Sequence, residues 1–214
     1  MKGLNTNTLL KNLVRYSFFD WDNEGNGTEP LLLGMPEAIL KQHQVEEFYH
    51  SWGIEAVHNP HAHPSFSAED WLRLENDFFD WLNIGKHLLF PDGSAIVTPS
   101  LQQDWFFNGY DPDKNEWMKY DFEQYENLLL SHQIIQQPPS LREDYRGAVV
   151  ENFEEFKITS KMSIRGVPLL FFSNNEMVIT ITDYLTIKIH FKNNSIKEKK
   201  KYQLIDIMNP QFLR

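Results

Sequence analysis

Apolar residues recur at helical spacing in several stretches of the first 140 residues. Leu9, Leu10, Leu13 and Val14 predict a short helix over residues 6–16. Pro36 pre-organises a second start, and Ala38, Val45, Phe48, Tyr49 and Trp52 follow at helical spacing, with Gly53 as the stop. Ser67 has the chemistry of an N-cap. Glu69 and Asp70 then fall in the first turn, Trp71, Leu74, Phe78 and Leu82 make one stripe, and Gly85 ends the helix. Phe122, Tyr125, Leu128 and Leu129 predict another helix, broken by Gln136-Gln137-Pro138-Pro139-Ser140. Between these helices, residues 87–90 and 94–98 flank Pro91-Asp92-Gly93 and predict a hairpin, because Asp-Gly supplies positive φ.

Beyond residue 140 the period changes. Phe153, Phe156, Ile158 and Ile164 are loosely spaced, Val167 to Phe172 predicts a buried strand, and residues 177–191 alternate as strands do. Asp183-Tyr184 would turn that stretch into a hairpin, although one long bent strand fits almost as well. Residues 193–201 predict a basic loop and Tyr202 to Met208 a last strand. The expected class is therefore α+β, with a helical N-terminal two-thirds packed on a mostly antiparallel C-terminal sheet. One domain, 1–214, would have two lobes: 1–140, acidic and mainly helical, and 141–214, strand-rich.

Charge sharpens this division. Residues 1–140 carry 8 basic against 21 acidic residues, a net of −13; residues 141–214 carry 12 against 9, a net of +3. The overall balance of −10 disfavours nucleic-acid backbones as partners. Absence of cysteine excludes disulfides, thiolate metal sites and cysteine nucleophiles. Neither a signal peptide nor an apolar run of spanning length is read, so the expected location is cytoplasmic, without a membrane partner. No Gly-x-Ser-x-Gly and no phosphate-binding glycine pattern occurs, so no nucleotide cofactor is indicated.

Four candidate sites follow. His58, His61 and His63 place three imidazoles in six residues, with Asp70 or His87 able to complete or orient the set. They could hold Zn²⁺ and activate water for hydrolysis; a histidine-bearing surface loop is the plainer alternative. Asp20, Asp22, Glu24 and Gly25 imitate the opening of a Ca²⁺ loop, but the twelfth position is Leu31 rather than Glu, and residues 111–115 lack the glycine and the closing Glu. Glu69, Asp70, Glu75, Asp77 and Asp80 lie among Trp71, Phe79 and Trp81. Those rings do not all fit one inward stripe, so an acidic, aromatic face for a basic protein partner is expected, in the manner of an inhibitor or immunity protein. The alternatives are a helix sandwiched inside its own domain and a homodimer closed by surplus aromatics. Finally, Lys197 to Lys201 can touch phosphate or anionic lipid, but more simply forms a solvated loop.

Overall fold

The computed structural model describes residues 1–20, 28–36, 67–100, 103–106, 116–136 and 144–213. Its centre is one antiparallel sheet of eight strands: β1 (Lys2–Leu4), β2 (Leu31–Gly34), β3 (Ala95–Pro99), β4 (Gly147–Val150), β5 (Leu169–Ser173), β6 (Met177–Thr182), β7 (Thr186–Phe191) and β8 (Gln211–Leu213). They lie in the order β1-β4-β3-β5-β6-β7-β2-β8. The helices are α1 (Thr6–Leu13), α2 (Ala68–Ile84), the single turn α3 (Lys86–Leu89), α4 (Lys119–Ser131), α5 (Phe153–Ile164) and α6 (Asn194–Met208).

Strand alternation separates two cores. Ala148, Val97, Phe171, Ile179, Ile189 and Leu31 are successive cross-strand partners, one apolar row across six strands. This row belongs to the larger core, which also contains Phe78 and Phe79 of α2, Phe156 of α5 and Leu204 of α6. Residues one step along face the other way: Leu170, Phe172 and Val178 pack against Tyr16, Phe18 and Phe19. Both faces of β5 are therefore buried, which is why its sequence is an unbroken apolar run.

The expected segregation into a helical first two-thirds and a C-terminal sheet is overturned. Strands β1, β2 and β3 come from the first 100 residues, and α5 and α6 come from the last 62. β3 joins the same sheet as the later strands, hydrogen-bonded between β4 and β5. Residues 153–164 are helical because Asn152 caps Glu155 N at 3.0 Å and Glu154 and Glu155 occupy the first turn. Residues 194–208, read as a basic loop and a strand, form one helix from the Asn193 cap to Asn209, whose φ of 45° closes it. The hairpin expected over 87–98 is instead α3 followed by β3. Leu89 N and Phe90 N bond back to the carbonyls of Gly85 and Lys86, while Gly93 keeps the positive φ, 70°, that its turn requires. The hairpin at 183–185 does form; its third loop residue, Leu185, takes φ 52°.

Candidate functional site

Helix α2 begins as its sequence reads. Ser67 accepts from Asp70 N at 3.0 Å, and the Asp70 carboxylate accepts from Ser67 Oγ at 2.8 Å and Ser67 N at 3.4 Å. The bonds from Ser67, aided by Arg73 at 2.9 Å, hold the Asp70 carboxyl below its ordinary pKa. The rings, however, go inward. Trp71, Phe79 and Trp81 are buried; Lys157 of α5 lies 5.7 Å from the Phe79 ring centre, and Trp81 Nε1 donates to the Met208 carbonyl at the end of α6, 2.8 Å away. Trp71, Phe79 and Trp81 therefore cannot anchor a docking partner. α2 is covered on more than one side by its own domain. Of the five acids, Glu69, Asp77 and Asp80 are exposed, Asp70 is half-buried in the cap, and Glu75 is wholly buried.

Glu75 belongs to a group that the sequence does not announce. Arg165, at the C-terminal cap of α5, grips it through two bonds, Nη1 to Oε1 at 2.7 Å and Nη2 to Oε2 at 3.0 Å, and also reaches Asp121 Oδ2 of α4 at 2.8 Å. Lys161 Nζ donates to Asp121 Oδ1 at 2.7 Å and lies 3.8 Å from Glu75 Oε2. The Trp117 ring centre lies 5.4 Å from the Arg165 guanidinium. Two carboxylates and two cations thus cancel inside the protein and tie α2, α4 and α5 together. Bidentate, mutually compensated charges are what a buried ionic group needs to persist.

Solvent-facing apolar residues concentrate elsewhere. Of nine large hydrophobic residues exposed among the described residues, five lie within 202–213: Tyr202, Ile205, Ile207, Phe212 and Leu213. Tyr202 and Ile205 are three apart on α6 and share a face; Lys201 and Ile205 are four apart and do the same. Lys201 Nζ lies 5.3 Å from the Phe212 ring centre, which joins the helix to β8. β8 ends the strand order, so one of its edges is unpaired among the described strands. Residues 194–208 contain four Lys against one Glu and one Asp. Lys200 turns inward to the Leu88 carbonyl at 3.3 Å, and burial pushes its pKa down. Lys201 shares the face of Ile205, while Glu198 and Asp206, both exposed, stand one turn either side of Tyr202.

A second feature is a cavity of about 180 Å³ between α3, the turn before β3, and the start of α5. Phe90, Ala95, Val150, Phe153 and Phe156 supply its apolar wall, and Lys86, His87, Ser94 and Asn152 its polar rim. The Phe90 and Phe156 ring centres are 4.6 Å apart, and those of Phe153 and Phe156 are 5.6 Å apart. Two separate sequence segments, 86–95 and 150–156, meet there, and neither bears a motif.

His58, His61 and His63 lie outside the described residues, as do 21–27 and 111–115 of the Ca²⁺-like loops. Among the described residues no group of three or more His, Asp or Glu is placed to hold a metal, and no helix is long and apolar enough to cross a membrane. Comparison with protein families, curated proteins and solved structures finds no match for this chain.

Proposed function

We propose that the protein is an interaction module that binds an acidic segment of another protein on the α6–β8 face. The observation that supports this reading is the exposure of Tyr202 and Ile205 on α6 and of Phe212 on β8, 70%, 41% and 41%, with Lys201 of α6 lying over the Phe212 ring. Bulky side chains left in water contribute little to the fold, whereas aromatic anchors at an interface supply holding energy and flanking charges supply encounter rate. The edge of β8 that is unpaired among the described strands adds backbone donors and acceptors that an extended partner segment can pair with. The expected basic partner on α2 retains only the charges of Glu69, Asp77 and Asp80. Without a ring to desolvate, such charges steer association more than they hold it.

A photo-crosslinking residue at Tyr202, with a control at Asp77, tests the reading in cells that make the protein. The expected result is an adduct from position 202 whose crosslinked peptide is acidic, lost when Ile205→Asp is added. Adducts arising only at position 77, adducts to basic peptides, or adducts only to a second copy of the chain would each overturn it.

A further inference from the structure

We infer that the cavity between α3 and α5 is a binding site for a small monocarboxylate with an aromatic or branched apolar body. The inference is independent of the α6–β8 reading. A dry, apolar cavity of roughly 150 Å³ is enough to admit a benzene-sized ring; this one measures about 180 Å³ and has Phe90, Phe153 and Phe156 along its wall. The space suits one ring or its aliphatic equivalent, with a short polar extension toward the open side.

Charge decides the nature of that extension. The chain carries 30 acids and a net charge of −10, yet no acid lines the cavity. Each rim group can donate, and Lys86 is the one fixed charge. No carboxylate among the described residues pairs with the Lys86 ammonium. The Asn152 carbonyl oxygen is engaged by Glu155 N at 3.0 Å, so what its amide has left to offer a ligand is chiefly its NH₂ donors. Ser94 adds a hydroxyl. An apolar wall with a few donors and one cation at its mouth matches a carboxylate headgroup on a hydrophobic body and disfavours an amine.

The test uses the intact protein and phenylacetate, with 2-phenylethanol and benzylamine as neutral and cationic isosteres, followed by calorimetry and by chemical-shift mapping. Phenylacetate has about ten non-hydrogen atoms, and at ordinary ligand efficiency it binds with a dissociation constant of roughly 1 mM. 2-Phenylethanol should bind about fivefold more weakly, and benzylamine should not bind measurably. A single partly exposed charge is worth about that factor. Lys86→Gln should erase the preference for the acid over the alcohol, Lys86→Arg should retain it, and Ser94→Phe should fill the cavity and abolish binding of both. Lys86 and Ser94 are partly exposed, so these variants should keep the parent's melting temperature, and that is measured alongside. Failure of phenylacetate to bind at about 20 mM, shifts that map away from Phe90 and Phe153, or equal binding of acid and alcohol would overturn the assignment.

Discussion

Helices α2 and α6 touch at Trp81 and Met208, yet they obey opposite rules. α2 comes from the acidic, Trp-rich part of the chain, and its rings are inside. α6 comes from the basic part, and its Tyr202 and Ile205 are outside. In α2 the inward set includes a carboxylate, Glu75, which survives burial because α5 brings Arg165 to it. In α6 only Leu204 and Met208 are buried, so the helix lies on the domain with a narrow contact and leaves most of its circumference to solvent. Charge summed along a sequence is thus a poor guide to charge across a surface. Part of the excess of acids at 1–140 is neutralised internally, and apolar exposure follows the number of neighbouring elements.

The sharpest way to break this contrast is to strand the charge inside α2. Glu75→Ala leaves Arg165 buried with Asp121 and Lys161, one negative against two positive charges. Removing one partner of a buried pair costs about 3–5 kcal/mol. Denaturant unfolding should show a loss of that size. The double variant Glu75→Met, Arg165→Met leaves the neutral Asp121–Lys161 pair and should recover a large part of the loss. If the single variant loses less than about 1 kcal/mol, the four groups are not held as a unit.

How legible these two helices were follows from the same physics. α2 was readable because a Ser cap, first-turn acids, an apolar stripe and a terminal Gly all agree locally. The 177–191 hairpin was readable because β-branched residues alternate with polar ones. α5 was hidden because Thr159, Ser160 and Ser163 are buried on its packed side, which blurs the stripe; the Thr159 hydroxyl is satisfied by the Glu155 carbonyl at 2.8 Å. α6 was hidden because two buried residues in fifteen make no period. β1 and β2 are three and four residues long, and their strand character comes from partners more than 140 residues away. The cavity was unreadable for a related reason: its wall exists only once α3, β3, β4 and α5 are assembled. The Glu75 group had no local signal beyond one acid within an otherwise apolar run of the stripe.

A smaller effect separates the entry of α2 from its packing. Ser67→Ala should cost about 1 kcal/mol, the usual worth of such a cap. Its companion Asp70 adds a pH signature. Because the Asp70 carboxyl has a folded pKa below its unfolded one, its stabilisation is complete above the unfolded value and is lost as pH falls through the folded value. Asp70→Asn should therefore be less stable than the parent at neutral pH and match it at strongly acidic pH. A difference that persists undiminished in acid would show that the ionised carboxylate is not what closes the cap.

The smallest expected effect carries the most weight for function. Ile205→Ser or Tyr202→Ser should change stability by no more than about 0.5 kcal/mol, as exposed positions do. Phe79→Ala, the same kind of truncation in α2, should cost about 3–5 kcal/mol. Thermal unfolding of the three variants side by side measures the ratio directly. A loss of 2 kcal/mol at Ile205 would mean that the side chain is covered in solution by this chain or by another copy, and the face would then be closed to an acidic partner. A loss near zero at both exposed positions leaves Tyr202 and Ile205 with little contribution to the fold. That outcome keeps the face open to the proposed partner.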